Sequence, residues 1–86
     1  MPHFAGRRFW HAYNQLPVEI QRLADRCYQL LEDDPHHPSL HLKKVGSFWS
    51  VRVGRNHRAV AIEVSGGFRW VWIGSHGDYE RLIRLR

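Results

Sequence analysis

Four side chains in the second half of the chain are of the types that cleave RNA: Arg52, Arg58, His76 and Tyr79. Breaking an RNA linkage requires a base for the 2′-hydroxyl proton, cations that stabilise the charge on the phosphorane, and an acid for the leaving oxygen. Histidine exchanges protons near neutral pH, and the planar guanidinium of arginine matches phosphate oxygens. These four residues are the candidate catalytic set.

Further polar residues flank this set. Ser50 shares a strand face with Arg52, because residues two apart in a strand point to the same side. Lys43 and Lys44 precede that strand, where they would form a basic rim, and Arg55 lies in the turn after it. We therefore assign Lys43, Lys44, Ser50 and Arg55 to RNA phosphate binding.

The direction of the Arg58 side chain is open on sequence grounds. Arg58 begins the strand after the turn, so it can approach Arg52 if both project to one face. It alternates, however, with Val60, which has the character of a core residue. Either a bulge near residues 55–56 redirects Arg58, or Ala59 and Ala61 form the packed face of this strand.

The sequence favours chemistry without a metal or an organic cofactor. Residues 35–41 contain three histidines, but two prolines stiffen this segment and no cysteine is near to complete the usual four zinc ligands. No phosphate-binding loop, dinucleotide-binding or nucleophile-elbow motif occurs. We predict no metal ligands and no cofactor.

The front of the chain has helical periodicity. Apolar residues recur every three or four positions from Phe9 to Leu31, which predicts helices that pack by one face. Proline is tolerated in a first helical turn but not in an interior, so Pro17 divides the pattern into helices at about 7–15 and 17–33. Pro35 and Pro38 end the second helix.

The back of the chain alternates at period two. Strands are predicted at about 48–53, 57–64 and 68–73, with an irregular edge strand at 39–45. Short connections, including Gly66-Gly67, imply an antiparallel meander. Ser75 and Asp78 match a capping box, which predicts a helix over 78–85. The fold class is therefore α+β, with two N-terminal helices packed on a small antiparallel sheet and a short C-terminal helix, in one domain over residues 1–86.

The composition favours a polyanionic partner. The 86 residues carry thirteen Lys and Arg against eight Asp and Glu, a net charge of +5, and eleven of the thirteen cations are arginine. Such a small and basic chain favours nucleic acid. The longest apolar runs have four residues, too few to span a membrane. Cys27 is the only cysteine, so no internal disulfide can form and a cytoplasmic location is predicted.

The order and spacing of five segments resemble the RelE/ParE superfamily of bacterial toxins. The segments are Asp-Pro-His-His-Pro-Ser-Leu (34–40), Lys-Lys-Val (43–45), Phe-Trp-Ser-Val-Arg-Val (48–53), His-Arg-Ala-Val (57–60) and Trp-Ile-Gly-Ser-His-Gly-Asp-Tyr (72–79). The likeness covers about residues 9–83. It implies a toxin of a type II toxin–antitoxin system, neutralised by a cognate antitoxin and contacting operator DNA only as the complex.

The RelE-like branch of this superfamily enters the ribosomal A site and cleaves mRNA without a metal. The resemblance places its conserved basic positions on Arg52 and Arg58, its proton-transfer position on His76 and its C-terminal tyrosine on Tyr79. Ser50 stands where some relatives have lysine. Only eight residues precede Phe9, so the first strand usual in the family should be short.

Two other functions remain open on sequence grounds. The ParE-like branch acts on DNA gyrase without the nuclease residues, and there the arginines would be docking contacts. A toxin that has lost its activity would persist as an antitoxin-bound repressor of its operator. The leading expectation is a ribosome-dependent mRNA endonuclease that inhibits translation.

Overall fold

The computed structural model describes residues 2–84, within which three α-helices and a five-stranded mixed sheet form an α+β fold. In chain order the elements are β1 (His3–Ala5), α1 (Arg7–Asn14), α2 (Val18–Asp33), β2 (Lys43–Val45), β3 (Phe48–Val53), β4 (His57–Val64), β5 (Gly67–Ser75) and α3 (His76–Arg84). A 3₁₀ turn at Pro38–Leu40 precedes β2. The predicted fold class is confirmed.

The sheet has the strand order β1-β5-β4-β3-β2. Strands β2 to β5 form the predicted antiparallel meander, and β1 adds to β5 in parallel. Three residues are too few to show a strand period, so the residue pattern of the N-terminus does not predict β1. The short first strand implied by the family resemblance is present.

The helices α1 and α2 pack on one face of the sheet. The core on this face contains Leu31 from α2, Val51 and Val53 from β3, and Ile73 from β5, all at most 4 % exposed. Half-buried side chains of α1, including Phe9, pack against it. The break between the helices falls at Pro17, as predicted, because proline supplies a favourable dihedral angle at a helix start.

The packed face of β4 is made by its alanines. Ala59 and Ala61 belong to the core under the helices, so Arg58 and Val60 project from the opposite face of the sheet. A register shift occurs between Val60 and Ala61 on the β5 side of the strand, not at the turn over residues 55–56. Of the two sequence alternatives, the alanine face is the correct one.

The last helix begins two residues earlier than the predicted span 78–85. The Ser75 hydroxyl accepts a hydrogen bond from the Asp78 backbone N–H at 3.1 Å, so Ser75 caps the helix and His76 is its first residue. Residue 85 lies outside the described residues. The edge strand predicted at 39–45 is limited in the structure to β2 (Lys43–Val45), because the 3₁₀ turn at Pro38–Leu40 occupies its start. Within residues 2–84, no helix has both the length and the apolar character needed to cross a membrane.

Candidate functional site

The β3–β4 hairpin brings the two central arginines together. Arg52 lies directly opposite Arg58 in the register of the two strands, so both side chains project from the face that is not covered by α1 and α2. Ser50 lies two residues before Arg52 on this face, and Lys43 of β2 lies opposite Ser50. The site therefore has a strand-built floor with three cations.

Arg58 is a buried cation that pairs with no carboxylate among residues 2–84. Its side chain is at the sheet surface under α3, only 8 % exposed as a residue, and its Nη1 donates a 3.1 Å hydrogen bond to the Ser50 hydroxyl. The guanidinium carbon lies 5.3 Å from the ring centroid of Tyr79, a cation–π distance. Among residues 2–84, no fully buried side-chain nitrogen or oxygen lacks a partner, so the remaining N–H groups of Arg58 reach the surface.

A hydrogen bond from its own backbone N–H fixes His76 at the first position of α3. Its N–H donates a 2.6 Å hydrogen bond to the Asn56 carbonyl, which ties the start of α3 to the β3–β4 turn. The His76 ring centroid lies 6.0 Å from that of Tyr79, and Nε2 lies 3.1 Å from Oε1 of Glu80. Because the side chain of His76 is 51 % exposed, its ring can exchange protons with a bound molecule.

The Tyr79 ring links the arginine to the histidine. Arg58 and His76 contact the same aromatic ring, and Tyr79 is only 3 % exposed. The ring of Tyr79 therefore packs between the strands and α3, with little of it open to solvent. Tyr79 was predicted from sequence as a catalytic group, and the structure places it in contact with two further members of that set, Arg58 and His76.

Two of the predicted phosphate contacts, Lys44 and Arg55, are not part of the strand-built floor of the site. Lys44 points to the opposite face of the sheet, because it pairs with Trp49, and its Nζ lies 3.8 Å from a Glu63 carboxylate oxygen. Arg55 is exposed in the β3–β4 turn. Lys43 and Ser50 lie on the face of the arginines, and Arg52 donates from Nε to the Gly54 carbonyl at 3.1 Å. The structure therefore collects six of the eight predicted site residues on one face.

Sequence reasoning missed Glu80 and Asn56, which orient His76. Glu80 follows His76 by four positions, the spacing at which two helix residues face each other, so the predicted C-terminal helix already contained the signal. The Asn56 contact is made by a backbone carbonyl and has no side-chain signature.

The histidine-rich segment is used for local structure. The Nδ1 atom of His37 accepts a 3.2 Å hydrogen bond from the Ser39 backbone N–H, and it lies 2.9 Å from the Ser39 hydroxyl. This contact caps the 3₁₀ turn at Pro38–Leu40. Across residues 2–84, no three histidine, cysteine, aspartate or glutamate side chains are placed to hold a metal ion together.

Comparison with known families identifies the class of protein. A family model described as the ParE-like toxin domain matches residues 18–81, which is most of the chain. The chain therefore belongs to the ParE-like toxin family and, with it, to the RelE/ParE superfamily of toxins. No curated protein matches it in sequence.

Solved toxin structures have the same fold at low sequence identity. The RelB–RelE antitoxin–toxin complex of Methanococcus jannaschii is matched with a TM-score of 0.71 and 12 % identity, covering 92 % of this chain and 96 % of that one. The YoeB/ParE toxin of Agrobacterium tumefaciens matches with a TM-score of 0.67 and 15 % identity, covering 88 % of this chain and 99 % of that one. The isolated RelE toxin of E. coli matches with a TM-score of 0.62 and 10 % identity, covering 98 % of this chain and 97 % of that one. These matches show a shared fold.

Proposed function

We propose that this toxin is a metal-independent endoribonuclease that cleaves mRNA on the ribosome. The observation that carries the proposal is the arrangement of two arginines opposite each other on β3 and β4, with one of them joined to His76 through the Tyr79 ring. Cations and a proton-transfer group then lie on one face, as cleavage of a phosphodiester requires.

In the proposed reaction the RNA supplies its own nucleophile. The 2′-hydroxyl oxygen attacks the adjacent phosphorus while the bond from phosphorus to the 5′-oxygen breaks, which leaves a 2′,3′-cyclic phosphate and a 5′-hydroxyl. Arg52 and Arg58 stabilise the charge on the phosphorane oxygens. His76 transfers a proton, either from the 2′-hydroxyl or to the leaving oxygen. Water or a ribosomal group supplies the other transfer.

The burial of Arg58 supports a phosphate as its natural partner. A buried cation without an opposite charge is costly, and within residues 2–84 Arg58 forms no ion pair. An entering phosphate would satisfy its remaining donors with charge-assisted hydrogen bonds. The fold thus keeps a cation in a poorly solvated place, where its interaction with a developing negative charge is strongest.

The test is cleavage of mRNA on programmed ribosomes by the purified protein, with the new ends mapped. We expect His76→Ala and Arg52→Ala each to lower the cleavage rate by about 10²-fold, the usual loss for a proton-transfer or charge-stabilising group. Arg22→Ala, which removes an exposed arginine of α2, is the matched control and should cleave normally. Intact mRNA with the wild-type protein would contradict the proposal.

We also propose a cognate antitoxin as partner and the cytoplasm as location, with residues 1–86 acting as one toxin domain. An apolar cleft of about 520 Å³ lies between the helices and the sheet, and exposed Phe4, Trp10 and Tyr28 surround it. An aromatic surface of this kind is usually covered by another protein. The M. jannaschii match is an antitoxin–toxin complex, which supports the same partner class.

A gyrase poison is the second candidate function. It is favoured by the family model, which is that of the ParE-like toxin domain, and by Ser50, which stands in place of a further cation in the site. In that case the arginines dock on a protein. Inhibition of DNA supercoiling that persists in the His76→Ala variant, with mRNA left intact, would support this candidate over the nuclease.

A further inference from the structure

A groove of about 800 Å³ runs between α1 and the second half of β5. Strand β1 pairs with β5 only as far as Trp70, so within residues 2–84 the rest of β5 has no strand on that side. The side of α1 that carries Arg8 and His11 lines the groove, and Trp72 of β5 lines it from the sheet. None of these residues belongs to the candidate site described above.

One wall of the groove is cationic and unpaired. Arg7 and Arg8 are exposed, and neither forms an ion pair with another described residue. The first turn of α1 contains no acidic residue, although that end of a helix favours negative charge. The carboxylate that lines the groove, Asp78, is already paired with Arg81. The wall therefore presents positive charge to whatever enters.

Trp72 lines the groove at the edge of β5 beyond β1, with its indole on the face of the sheet that carries Arg58. Trp72 is half-buried, and its indole lies against the backbone of Gly74, because a Cβ at position 74 would be only 2.5 Å from Cζ2 of Trp72. The glycine thus allows the ring to lie close along the strand. Gly74 is also the residue opposite Arg58, so the indole of Trp72 adjoins the candidate site.

We propose that this groove binds a segment of single-stranded RNA, with phosphates on Arg7 and Arg8 and a base stacked on Trp72. Cations beside an aromatic platform are the combination by which proteins hold single strands without reading their sequence. The proposal rests on the proposed function in one respect: the segment is the continuation of the strand whose linkage reaches Arg58. It adds a binding surface outside the cleavage site.

The first test measures binding of a 2′-O-methylated RNA octamer, which cannot be cleaved, as a function of salt. An Arg7→Gln/Arg8→Gln variant should bind more weakly, and the slope of log affinity against log salt should fall by about 1.4, from about 0.7 per phosphate contact on a single strand. An Arg22→Gln/Arg26→Gln variant of α2, with equally exposed cations outside the groove, should keep the wild-type slope. Equal losses in the two variants would overturn the proposal.

The second test addresses the platform directly. The indole N–H resonance of Trp72 should shift on addition of the octamer, and Trp72→Leu should weaken binding by about tenfold, a typical loss for one stacked base. The wild-type resonance needs no substitution, so a folding defect in Trp72→Leu cannot obscure the answer. An unshifted resonance at saturating RNA, or equal affinity for a polyglutamate peptide, would overturn the proposal.

Octamer binding and mRNA cleavage together distinguish failure of the groove proposal from failure of the nuclease proposal. Normal mRNA cleavage by Arg7→Gln/Arg8→Gln, with unchanged octamer binding, would reject the groove alone. Octamer binding with the predicted slope, in a wild-type protein that leaves mRNA intact, would support the groove and reject the nuclease.

Discussion

At the scale of single residues, the Ser50 hydroxyl is one of two groups that contact the buried Arg58 guanidinium, the other being the Tyr79 ring. Ser50 is fully buried and accepts the hydrogen bond from Nη1. Ser50→Ala would leave that N–H without a protein partner, so we expect a loss of about 1–3 kcal/mol in the free energy of unfolding, measured by urea denaturation. Ser47→Ala, at an exposed position, should leave the urea midpoint unchanged. An unaltered midpoint in Ser50→Ala would show that Arg58 is held by Tyr79 alone.

His3 is the residue that ties the N-terminal strand to the sheet. Its Nδ1 accepts a 3.1 Å hydrogen bond from the Trp70 indole N–H, and its ring stacks on Phe68 with centroids 5.9 Å apart. The accepting atom must be unprotonated for this bond to form. Burial lowers the pKa of His3 from the usual 6.5, while the nearby Glu32 carboxylate acts in the opposite direction.

A lowered folded-state pKa gives the His3 contact a defined pH dependence. Below pH 6.5 the unfolded chain binds more protons at this residue than the folded protein does, so the contribution to stability is lost as the pH falls through the folded pKa. We expect the urea midpoint to fall from about pH 7 to about pH 5 more steeply in wild type than in His3→Phe. His36→Gln, which changes an exposed loop histidine, should keep the wild-type slope.

Most residues of the candidate site could be named from the sequence, but the directions of their side chains could not be predicted from it. Arg52, Arg58 and His76 could be named from their chemistry and from the resemblance. Whether Arg58 faces the helices or the other side depends on which residues of β4 pack, and small Ala59 and Ala61 look less like a core than Val60 does. The burial of Tyr79 depends on where α3 packs on the sheet, which no local sequence pattern predicts.

At the scale of elements, β1 shows how a short strand depends on its neighbour. The Phe68 N–H donates to the Pro2 carbonyl at 3.1 Å, and the chain then runs alongside β5. Gly67 permits this approach, because a Cβ there would lie only 2.2 Å from the Pro2 carbonyl oxygen. Parallel pairing between the two ends of the chain is non-local, so it leaves no trace in a local sequence pattern.

A matched pair of glycine substitutions tests this attachment. We expect Gly67→Ala to displace β1, seen as loss of hydrogen-exchange protection at the Phe68 and Gly6 amides, because backbone atoms cannot move aside cheaply. Gly77→Ala meets no atom within 4 Å and lies in α3, so it should stabilise the protein by about 0.5–1 kcal/mol. Retained protection at both amides in Gly67→Ala would show that β1 does not need the close approach.

The helices and the meander could be predicted because their signals are local. The apolar stripe, Pro17 and the Ser75–Asp78 cap each act within a few residues, and the structure keeps all three. The edge strand was predicted too long, since the 3₁₀ turn at Pro38–Leu40 satisfies backbone groups that a strand would have used. The start of this strand was predicted wrongly because two local conformations, a strand and a 3₁₀ turn, compete for the same residues.

At the scale of the whole molecule, a net charge of +5 leads us to expect that anions stabilise the folded protein. Two effects can contribute: general screening of repulsion among the cations, and specific binding of an anion at the arginine pair. Screening acts on every cation, whereas binding requires Arg52 and Arg58 together on their face of the sheet. The two effects therefore respond differently to the loss of one arginine.

Thermal unfolding in phosphate and in chloride of equal ionic strength separates these effects. A phosphate concentration equal to its Kd adds about 0.4 kcal/mol through binding to the folded state. For a domain of this size that raises Tm by about 2–3 °C. We expect this rise in wild type and in Arg22→Gln, and its loss in Arg52→Gln, because only the last removes a cation of the site. An equal rise in all three proteins would mean that phosphate acts by screening and that the arginine pair holds no anion by itself.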